Sequence, residues 1–241
     1  MEYDPNKRTN LKGVKAYRNN TFIGSREARP IRIQCELEEP SIRLNKLGVE
    51  HMITFFGSAR LKPNHPDYIA AYYIANKLGT SPNMSAEIGI SSGGGPGIME
   101  AVNKGAHDAG VKSIGMGISL PFEQCNNEYI TEDLDFEFHY FFTRKYWCVY
   151  LSKAFVIMPG GVGTMDELFE ILTLIQTKKM GPKPIVLYNS NFWSNVVNFD
   201  AMIEHGTISA EDTDLLKITD DTNEACDYIW ENINLASHPV K

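Results

Sequence analysis

Gly160, Gly161 and Gly163, followed by Thr164 and Glu167, have the residue types in this chain best suited to chemistry. Residues without Cβ let backbone N–H groups approach an anion closely, and a helix that begins among them offers its positive end. Thr164 adds a hydroxyl, so the segment could hold a phosphate without a lysine. Glu167 would follow with a carboxylate kept ionised by the helix end. The Thr-x-x-Glu spacing also fits a capping box, in which Glu167 would serve only the helix terminus. The glycine run and its place after a strand favour the ligand role.

A second glycine cluster runs from Ser91 through Gly93, Gly94, Gly95, Pro96 and Gly97 to Glu100. It joins a predicted strand to a predicted helix, which again suits an anion. It departs from the dinucleotide fingerprint G-x-G-x-x-G, because Ile98 stands where the third glycine belongs, and it has no Walker lysine. Arg144 and Lys145 form a third group, set among Phe141, Phe142, Tyr146 and Trp147. An arginine there could grip a phosphate with two hydrogen bonds or stack on a flat base, or the pair could be the solvated edge of a buried helix. Ser58 and Arg60 follow the first predicted strand and could touch a ligand; no G-x-S-x-G elbow surrounds Ser58, which argues against a hydrolase triad.

The six histidines make no H-x-x-x-H or H-E-x-x-H pair, and the four cysteines make no C-x-x-C pair. Neither a metal site nor a disulfide framework is indicated, and reduced thiols in a cytoplasmic protein fit best.

Short apolar runs at 52–56, 86–90, 113–118, 136–140, 154–158, 184–188 and 215–219 predict strands. Helical spacing predicts helices over 68–78, 98–109, 143–152, 165–177, 192–204 and 223–235. Strands that alternate with helices, and runs such as Ala154-Phe155-Val156-Ile157-Met158 that are apolar on both faces, predict a Rossmann-like α/β fold. Its open parallel sheet would carry helices on both faces. Ligands in such sheets bind beyond the carboxyl ends of the strands, where the glycines cluster.

The 241 residues suit one substantial core, taken to begin near residue 51 and to extend to 241 as a single domain. Residues 1–50 read as a polar N-terminal extension without an assigned role. They carry ten basic and seven acidic side chains, whereas the whole chain has a net charge of −7. That balance argues against nucleic acid or an anionic membrane as a partner. No apolar run approaches the ~20 residues of a membrane helix, and the start lacks the pattern of a signal peptide.

The sequence resembles the LOG ("lonely guy") family, long labelled lysine decarboxylases. The resemblance rests on Gly93-Gly94-Gly95-Pro96-Gly97-Ile98-Met99-Glu100-Ala101, Arg144-Lys145 and Pro159-Gly160-Gly161-Val162-Gly163-Thr164-Met165-Asp166-Glu167. It extends to Gly57-Ser58-Ala59-Arg60 and Leu120-Pro121-Phe122-Glu123-Gln124, the latter typical of longer bacterial members. The resemblance implies a phosphoribohydrolase that cleaves a nucleoside 5′-monophosphate, including N6-modified AMP in cytokinin activation, to free base and ribose 5-phosphate. It implies Arg144 and Glu167 as catalytic residues, and Gly160, Gly161, Gly163 and Thr164 as the phosphate loop. Gly94, Gly95, Gly97, Lys145 and Ser58 are further candidate nucleotide contacts, and Glu100 either binds ribose hydroxyls or only answers the helix dipole. Neither metal nor cofactor is implied, and the expected assembly is a homodimer or a larger assembly of dimers.

Two departures from the family pattern stand out: Cys148 where methionine is usual, and Ser152-Lys153-Ala154 before the last strand of the motif. A non-catalytic nucleotide or molybdenum-cofactor binding protein of the same fold is the alternative reading. The decarboxylase label would require a pyridoxal phosphate lysine, which no motif suggests.

Overall fold

The computed structural model describes residues 13–120, 126–214 and 216–235. Its elements in chain order are α1 (Asn20–Ile23), α2 (Arg29–Lys46), β1 (His51–Phe56), α3 (Pro66–Gly79), β2 (Ile88–Ser92), α4 (Ile98–Asp108), β3 (Lys112–Ile118) and β4 (Asp135–Phe138). There follow α5 (Phe141–Tyr150), β5 (Ser152–Ile157), α6 (Val162–Gln176), β6 (Ile185–Tyr188), α7 (Ser190–Val196), α8 (Phe199–Glu204), β7 (Leu216–Thr219) and α9 (Thr222–Asn232). The seven strands form one sheet in the order β4-β3-β2-β1-β5-β6-β7, and every pair is parallel. This is the Rossmann-like α/β fold that the alternating pattern predicts.

Strand β5 shows why the fold needs helices on both faces. Side chains alternate across a strand, so Ala154 and Val156 enter the core under α3, α4 and α9, while Phe155 and Ile157 enter the opposite core with residues of α5, α6 and α7. Chain order then locates the site. Strands β1 to β4 step outward to one edge, whereas β5 returns to the other side of β1. The crevice between the carboxyl ends of β1 and β5 is therefore the topological switch point, where such sheets receive ligands. The loops meet there: Ser58 N–H donates to Pro159 O at 3.0 Å, and Ile98 N–H donates to Ser58 O at 2.9 Å.

Several elements differ from the sequence expectation. The predicted helix over 192–204 is two helices, because Asn198 turns out of the helical path and its side chain caps α8 by accepting from Ala201 N–H at 2.9 Å. Strand β2 lies two residues later than predicted and includes Ser91 and Ser92, which places the glycine cluster directly at its end. Helix α5 begins at Phe141, with Tyr140 as its N-cap residue. The whole segment 29–46, read as part of a polar extension, is the 18-residue helix α2; Leu44 and then Val49 enter the core beside Trp147. Its exposed polar face hid so sparse an apolar contact. Of the Leu120–Gln124 motif, all but Leu120 lies outside the described residues.

Candidate active site

Helix α6 is built so that one stripe serves both core and site. Thr164, Glu167, Leu168 and Ile171 are its buried residues, at the three- and four-residue spacing that shares one helix face. Leu168 and Ile171 pack on the sheet. One turn earlier the same stripe overhangs the sheet's carboxyl edge, and Thr164 and Glu167 face a cavity of about 1000 Å³. The cap of α6 is Gly161, which makes no side-chain cap hydrogen bond, and Thr164 lies inside the helix. The capping-box alternative for Thr164 and Glu167 is thus not the arrangement adopted. Gly161, Val162 and Gly163 expose the positive end of α6 to the cavity, with Val162 88% exposed. A Cβ on Gly160 would stand 2.0 Å from Thr164 Oγ1, so that glycine is what lets the threonine hydroxyl fold over the loop.

Helix α5 supplies the opposing group. Arg144 Nε donates to Met116 O at 2.8 Å, and its Nη1 lies 3.5 Å from Glu167 Oε1. The two side chains are only 13% and 5% exposed. Glu167 Oε2 is buried without a hydrogen-bond partner among the described residues. Burial pushes the Glu167 carboxyl up to about 7; the charges of Arg144 and Lys145 work against that rise, and Glu170 and Asp166 add to it. A buried ion pair contributes little net stability, and a carboxyl shifted by burial beside a specific cation in a cleft is a common signature of a reaction centre. Gly93 makes room for the arginine, since a Cβ there would approach Nη2 to 2.8 Å and Met99 Sδ to 2.6 Å.

The cavity walls include Ser58, Gly93, Arg144, Gly161, Gly163, Thr164 and Glu167, together with Arg60 and Asp166. The other candidates stand behind or beside it. Gly94 has a φ of +76°, accepts from Asn127 N–H through its carbonyl and donates its own N–H to Ser92 Oγ. Gly95 O accepts from Asn127 Nδ2 at 3.2 Å. Gly97, at φ +70°, allows α4 to abut Ser58, whose carbonyl would lie 2.5 Å from any Cβ. The first glycine cluster therefore shapes the wall more than it presents amides to a ligand. Glu100 accepts from Tyr68 Oη at 2.9 Å, away from the lining. Lys145 pairs with Asp166 at 2.9 Å and Glu170 at 2.7 Å on the α5–α6 seam. Burial works against its charge, but these two hydrogen bonds prevail and raise its pKa.

The far wall holds Asn126, Asp135 and Glu137, which the sequence reading left out. Strand β4 alternates exposed and buried, with Phe136 and Phe138 inward, and that alternation was the available signal. Both departures from the family pattern lie outside the cavity lining. Cys148 sits one turn behind Arg144 on α5, fully buried, its thiol pushed up to about 12 by burial. Ser152 and Lys153 open β5 at the other end of the sheet, where Ser152 Oγ donates to Cys148 O at 2.6 Å.

Residues 99–229 match the family model described as "possible lysine decarboxylase". A probable cytokinin riboside 5′-monophosphate phosphoribohydrolase, LOG4 of Oryza sativa, is 30% identical over 188 residues, or 76% of this chain and 77% of that protein. The chain belongs to the LOG family.

Another LOG relative, the cytokinin riboside 5′-monophosphate phosphoribohydrolase LOG3 of Arabidopsis thaliana, is 29% identical over 72% of this chain and 78% of its own length. Similar solved structures include a molybdenum cofactor binding protein from Rippkaea orientalis, with a TM-score of 0.54 and 19% identity over 76% of this chain and 96% of that one. The Moco carrier protein of Chlamydomonas reinhardtii gives 0.51 and 20%, again over 76% and 96%. At these identities the likeness concerns the fold alone. The LOG motifs of this chain thus fall in two places: the α6 loop and Arg144 on the cavity, and most of the first glycine cluster in the wall behind it.

Proposed function

We propose that the protein acts in the cytoplasm to hydrolyse the N-glycosidic bond of a nucleoside 5′-monophosphate, AMP or an N6-modified AMP, to free base and ribose 5-phosphate. The observation that carries this reading is the buried Arg144–Glu167 pair beside the exposed N-terminus of α6, on one cavity. The phosphate sits on the amides of Gly161, Val162 and Gly163 and the Thr164 hydroxyl, with Ser58 closing the seat. Held there, the nucleotide places C1′ against Glu167.

Breaking the C1′–N bond gives its electron pair to the base and leaves positive charge on the ribose, as in other oxocarbenium-like transfers. The Glu167 carboxylate stabilises that charge and takes a proton from the water that adds to C1′; a proton ends on the departing base. Arg144 orients Glu167 and meets the phosphate or ribose with the rest of its fork. No metal or cofactor enters this scheme.

The reading includes a homodimer or larger assembly. Supporting it, Phe141 and Phe142 of α5 are 55% and 56% exposed, with Phe141 on the cavity wall. Sedimentation checks this part.

A panel of nucleoside monophosphates, each with its nucleoside as control, tests the reaction. Chromatography should show base and ribose 5-phosphate from the monophosphates alone. Tight binding without product over long incubation would replace the enzyme by a binding protein of the same fold.

A further inference from the structure

Helix α5 carries Arg144 in its first turns yet caps itself poorly. Its N-cap residue, Tyr140, makes no side-chain cap hydrogen bond, and no acidic residue lies in its first turn. The missing anion comes from a segment about a hundred residues earlier. Glu36 of α2 accepts from His139 N–H at 2.8 Å, from Tyr140 N–H at 3.3 Å and from Thr143 Oγ1 at 2.5 Å. One carboxylate thus binds the two backbone N–H groups that lead into α5 and the Thr143 hydroxyl in its first turn, and sets a negative charge at its positive end.

The backbone of Glu36 is engaged as well. Pro40 lies inside α2 and has no N–H, so it cannot bond the carbonyl four residues before it. That carbonyl belongs to Glu36, and it accepts from Trp147 Nε1 at 2.9 Å instead. Glu36 therefore holds α5 at two points, Thr143 and Trp147, one on each side of Arg144 in sequence. Arg29, at the start of α2, adds a contact over the Tyr140 ring at 5.8 Å. Glu36 lies outside the residues that match the family model.

We propose that Glu36 is a positioning residue for the reaction: by capping and clamping α5 it fixes Arg144 in register with Glu167. The inference rests on the functional reading above for its kinetic consequence, though not for its geometric one. The charged groups that bear on Glu167 are Arg144 and Lys145 from α5 and Asp166 and Glu170 from α6. Loosening α5 moves the two cations and leaves the two carboxylates, so Glu167 should become harder to ionise.

The test compares wild type, Glu36→Gln and Glu36→Ala. Ionisation of Glu167 is followed by ¹³C NMR of side-chain-labelled glutamate, with Glu167→Gln giving the assignment. Glu36→Ala should shift the Glu167 midpoint upward by about half a pH unit or more. It should lower kcat about twofold or more at neutral pH with recovery at alkaline pH, and Glu36→Gln, which keeps one acceptor oxygen, should restore part of both. An unchanged Glu167 midpoint with only a lower melting temperature would overturn the proposal and leave Glu36 a structural cap. Should Glu36→Ala fail to fold, Thr143→Ala, which removes one donor, is read in the same way against Thr143→Ser. If wild type releases no base, the hydrolase reading fails while the NMR titration still decides the clamp.

Discussion

Glu167 is held with one oxygen toward Arg144 and the other buried without a hydrogen-bond partner among the described residues, and its burial is what raises its pKa to about 7. In the proposed reaction the ionised form is active, so kcat/KM should rise with pH and reach half its plateau near pH 7. Glu167→Gln should remove that limb and lower kcat by about 10²–10⁴-fold, the usual range for a positioned acid or base. Arg144→Ala withdraws the cation that holds the carboxyl down, so the limb that remains should move to higher pH. A pH–rate series on the three proteins checks both statements. An Arg144→Ala limb at lower pH would contradict the pairing seen here.

At the scale of elements, the two glycine loops differ in what their glycines are for. Among the described residues, no atom lies within 4 Å of a Cβ added at Gly161 or Gly163, whereas Gly160 faces Thr164 and Gly97 faces the Ser58 backbone. Gly163→Ala should therefore fold with nearly unchanged stability and bind substrate less well, because its methyl group stands in the proposed phosphate seat. Gly160→Ala and Gly97→Ala should instead lose about 1–3 kcal/mol through overpacking. At roughly 2–4 °C per kcal/mol for a chain of this size, thermal melts resolve the difference. KM measured on the folded variants then separates seat from scaffold. A sequence shows seven glycines in two similar clusters; which of them face space and which face backbone follows from how the loops after β1, β2 and β5 abut.

For the whole molecule, the raised carboxyl couples stability to pH. Glu167 has an ordinary value of 4.5 and a folded value of about 7, so the native state binds more protons between those pH values. Its contribution to stability is full below about 4.5 and is lost as pH rises through about 7. Glu167→Gln should flatten this part of the stability curve, as denaturant titrations between pH 4.5 and 8 would show; an equal slope in both proteins would mean that the carboxyl is ordinary. Binding also reports on the whole chain. A nucleoside monophosphate at a hundred times its Kd should stabilise the protein by about 2.7 kcal/mol, measured on Glu167→Gln to avoid turnover, while the matching nucleoside should do much less.

The order of strands and helices, the parallel sheet and the glycine loop at 159–164 that joins a strand to a helix were legible in the sequence, because apolar period and glycine spacing are local properties. Arg144 and Glu167 were legible as residues through the family motifs. Their meeting was not, since it depends on α5 and α6 crossing at one face of the sheet. The sequence also left residues 1–50 as an extension without a role, because α2 places only Pro40 and Leu44 in full burial and so lacks a strong apolar stripe. Its link to the site runs through one carboxylate, and through one carbonyl that Pro40 leaves without its helical partner. Contacts of that kind join residues over a hundred positions apart and leave no periodic trace, so only the tertiary structure decides them.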